Sequence, residues 1–180
     1  MILSDFDLEH LIKSKRLLIK PFEKSIIREN GLDLRLADEI AYHKDGLGED
    51  FFIDPSKESH VKKAYTIEKN CGILKIPKRS QVLLSTYEYI SLPDNLVGFV
   101  ELRSTWARHG LSMPPTIIDA GFSGNVTLEV FNNAPYGILL RPKTRFAHII
   151  FATTMNKVKN TYKGKYLGQR GIKLPKVINE

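Results

Sequence analysis

Residues 125 to 131 read Asn125-Val126-Thr127-Leu128-Glu129-Val130-Phe131, and their period of two marks a β-strand. Val126, Leu128 and Val130 fall on one face, and Thr127, Glu129 and Phe131 on the other. The glutamate is the odd residue, because a carboxylate in a central strand is disfavoured by propensity and costly if buried alone. Either that face is open to water, or the carboxylate lines a pocket. Partial burial would then raise its pKa and suit it to general acid–base work.

Working outward, short apolar runs recur at 72–77, 81–92, 96–102, 136–140 and 145–151, most of them bounded by Pro, Gly, Asn or Asp. Leu32, Leu34 and Leu36 alternate with Asp33 and Arg35 behind an Asn30-Gly31 turn signal. This spacing predicts an antiparallel barrel or sandwich rather than βαβ units. Ser4 and Asp7 form a capping-box signature for a short helix that buries Leu8, Leu11 and Ile12. Residues 43–63 are polar and charge-mixed and read as an excursion. Residues 1–180 make one domain, of which 156–180 are a basic, glycine-punctuated arm expected to order only against a partner or ligand.

The net charge of +7 favours an anionic partner such as a nucleotide, a nucleic acid or an acidic membrane surface. The stretch from Lys157 to Lys176 holds seven cations and no acid. Cys71 is the only cysteine, so no intrachain disulfide can form and a reducing cytoplasm is the expected compartment. The same count excludes a cysteine-built zinc site. No cationic segment leads into an apolar run at the N-terminus, and no stretch approaches a membrane span in length, so neither a signal peptide nor a membrane partner is expected. His10, His43, His60, His109 and His148 show no metal-ligand spacing, and His148, inside an apolar run, is expected in the core.

Three further segments could carry chemistry. Arg103 to Gly110 reads as a strand end running into one helical turn, where Arg103, Ser104 and Arg108 could meet phosphate oxygens or simply be solvated. In Ile117-Ile118-Asp119-Ala120-Gly121-Phe122-Ser123-Gly124, two glycines bracket an aromatic as in a tight hairpin. Asp119 could there accept from a sugar hydroxyl, with the ring against the sugar face, or it could close an Asx turn. In the arm, the aromatics, cations and glycines of 162–171 could stack on a base and clamp phosphates, or form a solvated tail or a nucleic-acid arm.

Taken together, Arg-Ser-Thr-Trp-Ala-Arg (103–108), Ile-Ile-Asp-Ala-Gly-Phe-Ser-Gly (117–124), Thr-Leu-Glu-Val (127–130) and Tyr-x-x-Lys-x-x-x-Gln (162–169) resemble the dCTP deaminase branch of the dUTPase-like superfamily, archaeal type. Met-Ile-Leu-Ser-Asp at the start and Glu-Asn-Gly-Leu-Asp-Leu-Arg-Leu (29–36) look like the same family, and the likeness is weakest over 43–70. The resemblance implies a mainly β, distorted jelly-roll or β-barrel (β-clip) subunit with a short N-terminal helix and a flexible C-terminal arm. It implies a homotrimer with inter-subunit active sites. The implied reaction is metal-independent hydrolysis of dCTP to dUTP and ammonia, supplying dUTP for dUMP and dTTP synthesis. Mg2+ would be bound through the triphosphate, without zinc, and dTTP would inhibit.

Position by position, the resemblance implies substrate binding by Arg103, Ser104, Thr105, Trp106, Ala107, Arg108, Asp119, Thr127, Leu128, Glu129, Tyr162, Lys165 and Gln169. Glu129, Ser104 and Arg108 would be catalytic: Glu129 carries protons, and the other two help place the water. Bacterial deaminases carry a His-Arg pair where this chain has Thr116-Ile117, so base discrimination is expected to rest on Thr116 or on backbone groups. The rival readings are a bifunctional deaminase/dUTPase giving dUMP and diphosphate, a plain dUTPase, and a non-enzymatic nucleotide-sensing or nucleic-acid-binding trimer. The apolar strand around Glu129 disfavours the last.

Overall fold

The computed structural model describes residues 1–177 of the 180-residue chain, so the last three residues of the arm lie outside the described residues. Helix α1 (Asp5–Lys13) starts on the expected capping box, with Ser4 N–H donating to Asp7 Oδ2 at 2.9 Å, and it buries Leu8 completely. In chain order there follow β1 (Leu18–Lys20), β2 (Ile27–Arg28), β3 (Gly31–His43), α2 (Glu58–Ala64), β4 (Tyr65–Glu68), β5 (Leu74–Ile76), β6 (Gln81–Ser91) and β7 (Leu96–Leu102). The second half contains α3 (Ser104–Arg108), β8 (Leu111–Ser112), β9 (Thr116–Ile118), β10 (Ser123–Asn132), β11 (Ile138–Leu140) and β12 (Arg145–Thr153). No helix among the described residues is long and apolar enough to cross a membrane.

A curled antiparallel sheet runs β8-β10-β6-β3-β12-β7-β9, with β1 on β6 and both β2 and β4 on β3; β5 and β11 pair separately. The long strand β3 is the turning point. Its first half pairs with β2 and β12, and its second half with β6 and β4. The two halves close over one core in which Phe146, Phe151, Leu32, Leu34, Leu36 and Leu84 are fully buried.

The ladders slip where the sheet curls. Between the pairs Asn125↔Tyr89 and Thr127↔Ser85, residues 86–88 of β6 stand opposite Val126 alone. Between Leu36↔Thr86 and Ile40↔Leu84, residues 37–39 of β3 stand opposite Ser85 alone. A slipped ladder frees backbone groups, and side chains answer them. Arg35 N–H donates to Glu88 Oε2 at 2.8 Å, and Val126 N–H donates to Thr86 Oγ1 at 2.8 Å. The same Glu88 takes Arg35 Nε at 2.6 Å, so a fully buried carboxylate both pairs the guanidinium and holds the corner.

The strand runs read from the sequence reappear as β5, β6, β7, β10, β11 and β12. Four expectations change. The excursion at 43–63 runs into α2, which buries Val61 and Ala64. Residues 117–124 are not a hairpin, because β9 pairs with β7 while β10 pairs with β6 and β8. His148 is half-buried rather than core, its Nδ1 3.0 Å from Asp33 Oδ1. The arm is seated on its own chain rather than awaiting a partner or ligand, as a parallel bridge between Gly124 and Gln169 shows.

Removing Glu88 takes away the one buried carboxylate on the Arg35 guanidinium and leaves it only the exposed Glu23, 2.6 Å from Nη1. Glu88→Ala is therefore expected to destabilise the fold by about 3–5 kcal/mol, read from the denaturant midpoint. A loss under about 1 kcal/mol would contradict this role for Glu88.

Candidate active site

Strand alternation turns Thr127 and Glu129 out of the core, while Val126, Leu128 and Val130 seal it. Thr127 and Glu129 form the floor of a cavity of about 290 Å³. One wall is β9 and the turn after it, including Thr116, Ile117 and Asp119. Another is the arm, which contributes Tyr162, Tyr166, Gln169 and Lys173. Burial pushes the Glu129 carboxyl above the ordinary glutamate range, opposed by a hydrogen bond from its own backbone.

The arm is fixed by the groups that the slipped ladders expose. Asn125 N–H donates to Gln169 O at 3.0 Å, and Gln169 Nε2 donates back to Asn125 O. Asn125 Oδ1 accepts from Gly171 N–H, Glu39 Oε1 from Ile172 N–H at 2.6 Å, and Thr127 Oγ1 from Lys173 N–H at 3.1 Å. Gly171 has φ +62°, and a Cβ there would overlap the Glu39 carboxylate. Phe122 is buried edge-on to Tyr162 at 5.6 Å, so its ring secures the arm from below.

The residues picked out in the sequence divide into two groups. Glu129, Thr127, Asp119, Tyr162 and Gln169 meet in this cavity. Leu128 does not: it is 1% exposed and points into the core, which strand alternation requires of Glu129's neighbour. Lys165 also turns away, its Nζ donating to Lys176 O at 3.3 Å. Within one chain, the α3 segment lies elsewhere. Ser104 and Thr105 line a second cleft of about 400 Å³ with Arg103, Asp33, Glu101 and His148. Ala107 and Arg108 are exposed on α3. Trp106 is turned inward, donating from Nε1 to Arg145 O at 2.9 Å and stacking on Phe146, so it fastens α3 to the sheet.

In this second cleft the buried Asp33 faces three basic groups: His148, Arg103 Nε at 3.4 Å and Arg145 Nη1 at 3.9 Å. Its Oδ2 has no hydrogen-bond partner. Among the described residues, no three or more His, Cys, Asp or Glu side chains are grouped as metal ligands. The sequence reading missed Tyr65, Tyr166 and Lys173 in the Glu129 cavity. The aromatic–cation strip at 162–171 contained Tyr166 and the acid-free run at 157–176 contained Lys173, but no local signal pointed to Tyr65.

The family described as dCTP deaminase-like matches residues 2–154. A dCTP deaminase of Caldivirga maquilingensis is 46% identical over 177 residues, covering 98% of this chain and 96% of its own. One of Pyrobaculum aerophilum is 44% identical, covering 98% and 97%. The crystal structure of 2'-deoxycytidine 5'-triphosphate deaminase from Agrobacterium tumefaciens aligns with 85% of this chain at TM-score 0.66 and 17% identity, and this chain spans 48% of that one. A mutant Staphylococcus bacteriophage 80alpha dUTPase aligns over 82% of this chain and 88% of its own, at TM-score 0.52 and 13% identity. At such identities the likeness is one of fold.

Two outcomes follow from this geometry. A carboxyl whose proton affinity rises on folding stabilises the fold while protonated, and that contribution is lost as pH climbs from the ordinary glutamate range through the raised value. Glu129→Gln should therefore melt above the wild type at about pH 8 and level with it at about pH 4; equal melting temperatures at both would show the carboxyl to be unstrained. Gly171→Ala should lift the arm and speed tryptic cleavage at Arg170 and Lys173, whereas unchanged cleavage would mean that the Glu39 contact does not hold it.

Proposed function

Because the chain belongs to the dCTP deaminase-like family, we propose that the Glu129 cavity receives the cytosine ring of dCTP and hydrolyses it to uracil, releasing ammonia. The observation that carries this reading is the Glu129 carboxyl, held on a strand floor in a half-dry cavity where burial raises its proton affinity. Deamination needs a group that first removes a proton from water and then gives it up. A carboxyl raised toward working pH does both more readily than one in its ordinary range.

The water adds its oxygen to C4 as Glu129 takes its proton. Glu129 returns that proton to ring N3, then carries the proton of the new C4 hydroxyl to the amino group, so that the C4–N bond breaks, ammonia leaves and the C4 carbonyl forms. Water and dCTP thus become dUTP and ammonia with atoms and charge balanced. Asp119 at the rim accepts from the sugar hydroxyl, and Gln169 and Tyr162 hold the nucleotide from the arm side. Thr116 lines the cavity where base discrimination was expected. Proton transfer supplies only roughly 10²- to 10⁴-fold, so positioning and preorganised charge supply the rest.

Ser104 and Arg108 reach this chemistry from a neighbouring subunit of a trimer. Two observations support that arrangement: the cation-bearing α3 cleft and the carboxylate cavity are separate within one chain, and a triphosphate substrate needs both. At the cavity rim, Ile117 is 61% exposed beside its exposed cross-strand partner Phe99, which gives the edge strand an apolar surface to bury. Magnesium would arrive bound through the triphosphate; the α3 cleft, whose buried Asp33 already faces Arg103, Arg145 and His148, presents Arg103 to the phosphates rather than a ligand to the metal. When bound, it would neutralise phosphate charge, and no proton step runs through it. The single free Cys71 supports a reducing, cytoplasmic compartment.

Incubation with dCTP and magnesium should yield dUTP and ammonia. dUMP with diphosphate would identify a bifunctional enzyme, turnover of dUTP alone a dUTPase, and unchanged nucleotides a non-enzymatic binder. Glu129→Gln should lower kcat by at least about 10²-fold while nucleotide still binds. Glu129→Gln and Arg108→Ala chains, each inactive alone, should regain activity when assembled together. Failure of that mixture would place both residues in the same subunit's site.

A further inference from the structure

Tyr65 lies in the segment where the family likeness is weakest, yet it lines the cavity that holds Glu129. Cross-strand pairing sets Ile67, Ala41, Leu83 and Glu129 in one row across β4, β3, β6 and β10, with Tyr65 and His43 paired in the adjacent row. Paired residues of antiparallel strands share a face, so Tyr65 and Glu129 rise from the same side of the sheet. Ala41 is small and leaves room for the Tyr65 ring to pack with Ala41, Leu83 and the arm's Ile172 and Leu174. Behind the ring, His43 packs tilted by 40° at 4.5 Å between centroids and is itself tied to Gln81, its Nε2 3.2 Å from Oε1.

We propose that Tyr65 is a positioning residue for Glu129: its ring, braced by His43 and the arm, closes one side of the cavity against water and so keeps the carboxyl able to carry a proton. Burial pushes the Tyr65 phenol above its ordinary range, and the Glu129 carboxylate adds to that shift. Removing the ring would let water reach the carboxylate and stabilise its charged form, which lowers its proton affinity. Other ionisable groups also line the cavity: Asp119 beyond β9, and Tyr162, Tyr166 and Lys173 from the arm. Unlike these, Tyr65 packs against Ala41 and Leu83, the latter being the cross-strand partner of Glu129.

The role rests on the proposed deamination for its purpose, but its test needs no turnover. The Glu129 carboxyl is titrated by NMR in glutamate-labelled protein, its signal identified by its absence from Glu129→Gln. Tyr65→Leu and Tyr65→Ala should lower the titration midpoint by on the order of one pH unit, and Tyr65→Phe, which keeps the ring, should leave it in place. The same pattern should persist in a His43→Gln background, which removes the neighbouring imidazole. With dCTP, the acid limb of kcat/KM should shift to lower pH in Tyr65→Leu but not in Tyr65→Phe. Equal midpoints in all forms, or a fall in Tyr65→Phe matching Tyr65→Leu, would overturn the proposal. A wild type that leaves dCTP unchanged would sink the deamination reading while leaving the titration result intact.

Discussion

Backbone N–H groups cannot be left bare in a dry interior, and this sheet frees them wherever its ladders slip. The N–H groups of Arg35 and Val126 are two such cases, and β6 answers both, with the Glu88 carboxylate and the Thr86 hydroxyl. These acceptors stand two residues apart on one strand, so the corner of β3 and the irregularity facing β10 are fastened together. From that point β10 delivers Thr127 and Glu129 to the cavity while Leu128 and Val130 seal the core. A regular ladder would need neither acceptor, and the sheet would lack the curl that encloses the site.

The arm uses the same irregularities. Glu39, within the slipped section of β3, and Asn125, beside that of β10, are the groups that capture residues 169–172. Strands paired on both sides expose few free acceptors, so the arm docks where the sheet is imperfect. The cavity is therefore walled by strand on one side and by irregular chain on the other.

Charge is divided between two places. The α3 cleft gathers Arg103, Arg145 and His148 around one buried aspartate, while the other cavity holds the Glu129 carboxyl on its floor, Asp119 at its rim and Lys173 from the arm, with no guanidinium among its lining. Electrostatics gives a reason for the separation. A free guanidinium beside Glu129 would stabilise its ionised form and pull its proton affinity down, against the effect of burial. Keeping the two apart within one chain leaves the effect of burial on the Glu129 carboxyl unopposed by an arginine.

Much of this was legible in the residues themselves. The period of two located most strands, Ser4 and Asp7 started α1, and the incongruous Glu129 marked its own cavity, because each signal depends on neighbours a few positions away. The segment at 117–124 looked like a hairpin because turn residues do not say which strands will pair on either side. His148 looked like core because Asp33, its partner, is remote in sequence. Tyr65 carried no local mark, since its importance comes from a row of side chains contributed by four strands. The sequence alone determined most of the strands, the start of α1 and the side of its strand on which Glu129 stands. Only the tertiary structure decided its surroundings, the seat of the arm and the separation of the two clefts, because these depend on long-range strand register and on where that register slips.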